Sequence, residues 1–123
     1  MKSADLALVL TGVMLNAAAQ LLLKAGSRAI AGVEFSLANG WVLVERIALN
    51  APILIGLACY AVSVVFWILA LSRVDVSIAY PMLSIGYIVS ALAGWLLFSE
   101  ALSTARVAGI GVIIVGVWLV ARS

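Results

Sequence analysis

The sequence predicts an all-α integral membrane protein with four transmembrane helices. Three observations carry this prediction. Hydrophobic residues make up 67% of the 123 residues and charged residues only 10%, the mean hydropathy is +1.30, and the apolar residues fall into four long segments. A soluble domain of this length has too small an interior to hold so many apolar side chains. We therefore expect the lipid bilayer to surround a single four-helix domain over residues 1–123.

Each of the four apolar segments reaches the length of a membrane span, which is about 20 residues. They cover residues 4–25, 51–72, 77–98 and 104–121. In lipid, each segment satisfies its own backbone hydrogen bonds only as a helix. The first segment follows Met1 and Lys2 as a signal peptide would, but its apolar run continues through Leu23. This run exceeds the usual apolar region of a signal peptide, so we interpret it as the first span.

The residues at the segment ends support these boundaries. Asn50 is a candidate N-cap before Pro52, which occupies a first helical turn, where its missing N–H costs nothing. Ser103 or Thr104 can cap the fourth span in the same way. Pro81 removes an internal hydrogen bond from the third span and predicts a bend there. Such a bend would let the helix rock between two openings.

The long connection between the first two spans contains an apolar stretch, residues 36–49, that is too short to cross the membrane. It predicts a short helix in the membrane interface, with Trp41 at headgroup depth and Glu45 and Arg46 towards water. The alternative is a loop that packs partly on the bundle.

An even number of spans places both chain termini on one side of the membrane. That side carries Lys2, Arg73 and Arg122. The other side carries Lys24, Arg28, Arg46 and Arg106. The positive-inside rule assigns no orientation to such a balanced distribution. It suits an antiparallel dimer of oppositely inserted copies, and it equally suits a chain that a partner subunit orients.

Four polar residues recur at intervals of four in the first span: Asn16, Gln20, Lys24 and Arg28. They form one oblique row, because each step overshoots a helical turn by about 40°. Polar groups inside a membrane are costly and are candidates for function. We interpret the row as a binding site for a polar or anionic group. The alternative is that Asn16 and Gln20 bond neighbouring helices while the two cations extend to the interface.

Two further faces carry aromatic and hydroxyl side chains at helical spacing. The second span places Tyr60 and Ser63 beside Gly56 and Trp67. The third span places Tyr80, Ser84 and Tyr87 on one face with Ser77. Aromatic hydroxyls beside small residues can line a cavity between helices. We therefore include Tyr60, Ser63, Tyr80, Ser84 and Tyr87 among the candidate substrate-binding residues.

Small residues predict where helices pack closely or dimerise. The third span carries Gly86, Ser90 and Gly94 at intervals of four. The fourth span contains Gly109 and Gly116 and has no strongly polar residue in its apolar stretch. We interpret both sets as packing or dimerisation surfaces.

The same composition argues against several classes of function. The sequence has no histidine and a single cysteine, Cys59, so we expect no metal site and no cofactor. All five carboxylates fall at segment ends or in connections, which leaves no pair for acid–base catalysis and predicts a protein that is not an enzyme. The net charge of +2, without a basic run, gives no surface for nucleic acid.

The sequence resembles the drug/metabolite transporter superfamily over nearly its whole length. The segment 79–84, Ala-Tyr-Pro-Met-Leu-Ser, and the segment 98–103, Phe-Ser-Glu-Ala-Leu-Ser, carry the resemblance. One four-span branch, the small multidrug resistance transporters, has a glutamate in the first span, a small or polar residue four positions later and a lysine four beyond that. Here the pattern reads Asn16, Gln20, Lys24. Asn16 cannot exchange a proton, which argues against proton-coupled export of cationic drugs. The position of that branch's tryptophan in the third span is Leu83.

The sequence is closer to the EamA-type four-span proteins, which include the paired small subunits of the undecaprenyl-phosphate-aminoarabinose flippase. The resemblance implies a bacterial inner-membrane flippase for a polyprenyl-phosphate-linked sugar or a similar amphiphile. One protomer is too thin to enclose a sizeable cavity, so we expect a homodimer or a pair with a paralogous subunit. Two alternatives stay open: an exporter of small molecules or cationic drugs, and a membrane subunit that does not itself transport.

Overall fold

The computed structural model describes residues 2–123, which are helical with no β-strand in that range. Four helical segments are long and apolar enough to cross a membrane: Ser3–Ile30, Ala51–Leu71, Val76–Leu97 and Thr104–Arg122. The four predicted spans are thereby confirmed. The first is longer than predicted, because a 3-10 turn continues the helix towards the connection.

Helix α1, Ser3–Ser27, is the central helix of the bundle. Its buried side chains Val9, Val13 and Ala17 recur at intervals of four and are at most 2% exposed. The main hydrophobic cluster joins α1 to the second and third spans and consists of Val9, Val13, Ala70, Val74, Ala79 and Met82. Because α1 supplies one wall of this core, its polar residues lie against protein on at least one side.

Helix α3, Ala51–Leu71, packs along α1 over most of its length. A Cβ atom at Gly56 would lie 3.1 Å from the carbonyl oxygen of Ala19 and 3.2 Å from Cβ of Leu22. Small residues at such a point let two membrane helices approach closely. The Asn50 side chain accepts a hydrogen bond from the Ile53 N–H at 3.1 Å, which confirms the predicted N-cap of α3.

The connection between α1 and α3 contains the predicted short helix. A 3-10 turn, Leu37–Asn39, leads into α2, Gly40–Ala48. No residue of α2 is buried, and Trp41 is 76% exposed. Arg46 ties α2 to the end of the first span by donating to the Ala29 carbonyl oxygen at 3.1 Å. A membrane-interface position for α2 stays a prediction.

The third span consists of two helices, whereas the sequence predicts one bent helix. Helix α4, Val76–Met82, ends one residue after Pro81, and α5, Ser84–Leu97, begins after Leu83. The proline has no N–H to donate to the carbonyl of Ser77, so the helical hydrogen-bond pattern is interrupted in this turn. Leu83 keeps right-handed helical angles, φ −56° and ψ −24°, and its N–H donates to the Tyr80 carbonyl oxygen.

Helix α6, Thr104–Arg122, lies at the edge of the bundle against α4 and α5. The Ser103 side chain caps it by accepting from the Arg106 N–H at 3.2 Å. None of its residues is buried. A Cβ atom at Gly109 or Gly116 would meet no neighbouring atom within 4 Å. This helix therefore presents a face that the chain itself leaves uncovered.

Both chain ends lie on the same side of the bundle, as an even number of spans requires. Asp5, Arg73, Asp75 and Ser123 line one small cavity there. Asp5 is only 8% exposed, and its Oδ1 atom has no hydrogen-bond partner within residues 2–123. The nearest cation is Arg73, with Nη1 at 3.8 Å, which is an ion-pair distance but too long for a hydrogen bond.

Candidate functional site

The polar row of α1 begins with two amides in the middle of the helix. Gln20 Nε2 donates a hydrogen bond to Asn16 Oδ1 at 2.8 Å, one turn away on the same helix. Gln20 Oε1 accepts a longer hydrogen bond from Ser90 Oγ on α5, at 3.4 Å. The two amides thus satisfy each other in part and link α1 to α5. Within residues 2–123, the amide nitrogen of Asn16 donates no hydrogen bond to another side chain.

Lys24 continues this row and forms an ion pair with the connection between α5 and α6. Its Nζ atom lies 3.6 Å from Glu100 Oε1. The two side chains are 53% and 45% exposed. A ligand can therefore reach either partner from outside the chain.

The backbone after α5 holds Glu100 against the helix it follows. Ser99 adopts a left-handed conformation, φ 55°, which turns the chain back. The Glu100 N–H then donates to the Gly94 carbonyl oxygen at 3.2 Å. A Cβ atom at Gly94 would lie 2.8 Å from Glu100 Oε2. Ser99 and the bond to Gly94 thus set the backbone of Glu100, and its carboxylate rests against Gly94.

Arg28, the fourth residue of the row, turns towards an aromatic ring. Its guanidinium carbon lies 4.9 Å from the centroid of the Phe98 ring, at the end of α5. A cation over an aromatic face is attracted by the ring quadrupole. Arg28 therefore adds positive charge to the same end of the bundle as Lys24, but the structure places it against α5 and not in a cavity with Asn16.

An inner cavity of about 190 Å³ lies between α1, α3 and α4. Its lining residues are Gly12, Asn16, Tyr60, Ser63, Val64, Trp67, Tyr80 and Leu83. The Trp67 and Tyr80 rings pack edge to face, with centroids 5.3 Å apart. Ser63 donates its hydroxyl to the Tyr60 carbonyl oxygen at 2.7 Å, so that hydroxyl is already engaged. Four of the predicted site residues thus meet in one cavity.

An outer cavity of about 350 Å³ lies between α5 and α6, at the end of the bundle that carries Lys24. Tyr87, Glu100 and Arg106 supply its polar groups. The rest of its wall is mostly apolar and consists of Ile88, Ala91, Ala101, Leu102, Gly109, Ile110 and Ile113. Arg106 also donates to the Ala101 carbonyl oxygen, which holds its guanidinium near the mouth of the cavity.

The structure separates residues that the sequence analysis grouped on one face of the third span. Tyr80 lines the inner cavity and Tyr87 the outer one. Ser84, at the start of α5, lines neither of these two cavities. The two tyrosines are seven residues apart, which is about 10 Å along a helix, so they can share a face and still reach different cavities.

The small residues of the third span face this chain itself. A Cβ atom at Gly86 would lie 3.3 Å from the Val13 carbonyl oxygen on α1. Ser90 bonds to Gln20, and Gly94 accommodates Glu100. These three residues therefore pack within the chain. On α6, by contrast, a Cβ atom at Gly109 or Gly116 would meet no neighbouring atom within 4 Å.

Comparison with known proteins gives the family. The family model described as Small Multidrug Resistance protein matches residues 29–113. The chain belongs to this family. Its four apolar helices and its membrane-transporter relatives make it a multi-pass membrane protein. No solved structure is significantly similar to the chain.

Curated relatives of this family member carry flippase names. Two are named "Probable 4-amino-4-deoxy-L-arabinose-phosphoundecaprenol flippase subunit ArnF". The protein from Yersinia enterocolitica is 33% identical over 110 residues, which cover 88% of this chain and 86% of the relative. The protein from Photorhabdus laumondii is 33% identical over 120 residues, covering 92% and 93%. These relatives are named as subunits of a transporter and not as enzymes.

A third relative matches over a shorter region. The protein from Pseudomonas syringae pv. syringae, named as subunit ArnE of the same flippase, is 40% identical over 68 residues. The match covers 55% of this chain, and this chain spans 63% of the length of that relative. Relatives with the names of both subunits are thus found.

Glu100 and Arg106 lie at the candidate site but are absent from the residues predicted to form it. Both belong to the stretch between the third and fourth spans, where charge is ordinary. Their positions in the sequence offer one indication, since Glu100 and Arg106 stand at the two ends of the connection between the third and fourth spans. Their charges lie near the end of the third span, as Lys24 and Arg28 lie near the end of the first. The contact with Lys24, however, becomes visible only when the helices are packed.

Proposed function

We propose that this chain is a subunit of a dimeric bacterial inner-membrane flippase for a polyprenyl-phosphate-linked sugar or a similar lipid-linked amphiphile. The observation that carries the proposal is the polar row of α1. It runs from Asn16 and Gln20, in the middle of the central helix, to Lys24 beside Glu100. Polar groups at that depth mark substrate pathways in membrane proteins. The names of the relatives supply the class of cargo.

In this function the row binds the headgroup while the lipid tail stays in the bilayer. Lys24 and Arg28 attract the phosphate, because both are cations at one end of the bundle. Asn16 and Gln20 offer amide donors and acceptors to sugar hydroxyls further along α1. Tyr60, Ser63 and Tyr80 in the inner cavity and Tyr87 in the outer cavity provide polar groups along the path. The sugar phosphate thus crosses the apolar interior with hydrogen-bond partners in place of water.

The inner cavity of one chain, which Asn16 lines, is not a large enough chamber for this cargo. Ligand cavities in proteins measure about 300 to 1,000 Å³. The inner cavity, at about 190 Å³, lies below that range. The chamber is completed by a second subunit, either another copy of this chain or a paralogue. The paralogue is favoured by the two subunit names among the relatives.

Helix α6 is the surface at which the second subunit binds. It has no buried residue, and a Cβ atom at Gly116 would meet open space. Gly109 lies on the same side of the helix, because seven residues make almost two full turns, and it borders the outer cavity at the edge of this surface. Small residues on one side of a membrane helix allow close contact with a second helix.

Transport of the lipid by reconstituted protein tests the proposal. The chain is placed in vesicles, alone and with a co-expressed paralogue, together with an undecaprenyl-phosphate-linked sugar. The fraction of headgroups that an impermeant reagent reaches is then followed over time. Lys24→Gln should slow the crossing at least about tenfold, the loss expected for one charge-assisted hydrogen bond. Lys2→Gln, which removes an exposed lysine at the opposite end of the bundle, is the matched control. The proposal is wrong if neither preparation of the wild type moves the lipid.

The family match favours a second candidate, export of cationic drugs or other small molecules. The model of the small multidrug resistance family covers residues 29–113. Against it, position 16 is asparagine, and the one buried carboxylate within residues 2–123 is Asp5 in the first turn of α1. Proton release from the purified protein upon addition of a quaternary ammonium compound would favour this candidate over lipid transport.

A further inference from the structure

A cavity lies beside α2, between the end of the first span and the N-cap of α3. This α2 cavity measures about 540 Å³ and is lined by Ala29, Val42, Glu45, Arg46, Leu49 and Asn50. We propose that it binds a bilayer phospholipid of the phosphatidylethanolamine class, with the phosphate on Arg46 and the primary ammonium group on Glu45. No residue of the polar row of α1 lines this cavity, so the site is separate from the path proposed for the cargo.

The chain itself covers α2 poorly. None of the residues of α2 is buried, and the side chains of Trp41 and Val44 are more than half exposed, as is that of Leu49 directly after the helix. A short helix with exposed apolar side chains is stable where the bilayer surface covers them. Because α2 connects two spans, phospholipid headgroups are the neighbouring groups at that depth.

Arg46 is anchored at the cavity and keeps hydrogen-bond donors for a ligand. Its Nη1 atom donates to the Ala29 carbonyl oxygen at 3.1 Å, which holds the guanidinium beside the end of the first span. The other N–H groups of the guanidinium are available to a ligand. Arginine binds phosphate through two parallel hydrogen bonds, which add geometric specificity to the attraction between the charges. Arg46 therefore provides the phosphate half of the site.

Glu45 provides the ammonium half, because it has no cation of its own. It takes part in neither of the two ion pairs found within residues 2–123. Asn50, the remaining polar residue of the lining, uses both ends of its side-chain amide for hydrogen bonds within the chain. The carboxylate of Glu45 and the guanidinium of Arg46 are therefore the charged groups that the cavity offers to a ligand.

This pair of opposite charges selects among common headgroups. Phosphatidylglycerol is anionic, so its phosphate pairs with Arg46 only beside the carboxylate of Glu45, and like charges repel each other. The quaternary ammonium of phosphatidylcholine has no N–H and cannot donate a hydrogen bond to Glu45. The ammonium of phosphatidylethanolamine has three N–H donors, as that of lysine has. Val42 and Leu49 add an apolar wall for the acyl chains.

Binding of three phospholipids with identical acyl chains tests the inference. Dioleoyl phosphatidylethanolamine, phosphatidylcholine and phosphatidylglycerol are each added to the full chain in a nonionic detergent. Native mass spectrometry then gives the three dissociation constants. The wild type should bind phosphatidylethanolamine at least about fivefold more tightly than either of the other lipids, the difference expected for one hydrogen bond.

Three variants connect the preference to the two charged residues. Glu45→Gln should lose the preference for phosphatidylethanolamine over phosphatidylglycerol, and it should bind phosphatidylglycerol more tightly than the wild type does, because the repulsion is gone. Arg46→Gln should weaken the binding of all three lipids, since each has a phosphate. Glu34→Gln, at an exposed carboxylate of the same connection that does not line the cavity, is the matched control and should behave as the wild type.

Two further measurements separate this site from other sources of the same chemistry. O-Phosphoethanolamine, the same headgroup without acyl chains, should not displace the lipid at about tenfold excess, because it lacks the apolar contact with Val42 and Leu49. Displacement would show that the cavity recognises a soluble headgroup and not a membrane lipid. Lys24→Gln, which alters the polar row of α1, should keep the preference, and a loss of preference there would contradict a separate site.

The role of Glu45 decides the result. Equal binding of the three lipids by the wild type, or an undiminished preference in Glu45→Gln, overturns the proposal and leaves the proposed transport function standing. Tighter binding of phosphatidylglycerol by Glu45→Gln shows that the variant is folded, so the loss of preference in it supports the proposal.

Discussion

Ser90 on α5 donates its hydroxyl hydrogen to Gln20 on α1, across a distance of 3.4 Å and a separation of 70 residues. Gln20 in turn donates a hydrogen bond from Nε2 to Asn16 Oδ1 at 2.8 Å. The two amides and the hydroxyl form a polar link between α1 and α5. In a membrane helix such links stabilise modestly, by about 0.6 kcal/mol on average. Their cost and position therefore favour a role in function over one in stability.

Replacing Asn16 should affect transport far more than stability. Asn16→Leu keeps the approximate volume of the side chain but removes the acceptor for Gln20 and the free amide. We expect lipid transport to fall at least about tenfold, while the free energy of unfolding changes by less than about 2 kcal/mol. Thr11→Val is the control, since the exposed Thr11 hydroxyl donates to the Ala7 carbonyl of its own helix. Full transport by Asn16→Leu would exclude this residue from the pathway.

Replacing Gly56 should loosen the contact between α1 and α3. The Cβ atom of Gly56→Val would lie 3.1 Å from the Ala19 carbonyl oxygen, which is backbone and cannot move aside easily. Overpacking of this kind costs about 1 to 3 kcal/mol. Thermal unfolding in detergent should show a lower midpoint for Gly56→Val and no change for Gly32→Val, whose Cβ would meet nothing within 4 Å. Equal midpoints for the two variants would show that the helices do not pack as described.

Replacing Gly116 of α6 should prevent assembly without unfolding the chain. Gly116→Leu places a large side chain on the proposed contact surface and leaves the outer cavity, which Gly109 lines, unchanged. Crosslinking or native mass spectrometry should then show monomers in place of dimers, with the helical circular dichroism unchanged. Gly111→Leu is the matched control, because its Cβ also meets open space and it lies about 140° around the helix from Gly116. If Gly111→Leu alone breaks the dimer, the contact surface lies on the other side of α6.

Replacing Pro81 should stabilise the third span and slow transport. Pro81→Ala restores an N–H that can donate to the Ser77 carbonyl and so joins α4 to α5 more firmly. We expect the free energy of unfolding to rise by up to about 1 kcal/mol and transport to fall, because the bend between the two helices allows the movement between two openings. Pro52→Ala, in the first turn of α3, restores no internal bond and should change neither quantity. Unchanged transport by Pro81→Ala would contradict a moving bend.

The sequence predicts the spans, the helix caps and the bend in the third span, because each depends on residues close together in the chain. The four spans follow from hydropathy, because a segment in lipid must satisfy its own backbone. The caps at Asn50 and Ser103 depend on bonds to residues three positions away, so they too were predicted correctly. Pro81 was identified as the point where the third span bends, since its missing N–H acts within one turn.

The candidate site was less predictable, because it depends on which helix meets which. The spacing of Tyr80 and Tyr87 predicts that they share one face, but they line two different cavities at different heights along the span. Gly86 and Gly109 look alike in the sequence, yet one meets α1 and the other meets open space.

The sequence by itself determined that this protein is a bundle of four membrane helices with a polar row on the first. Only the tertiary structure decided that Lys24 faces Glu100 and that α6 has an uncovered face. The physical reason is the range of the forces involved. Hydropathy, capping and the missing N–H of proline act within a few residues of the chain. Ion pairs and helix contacts act between atoms that are close in space, whatever their separation in the sequence.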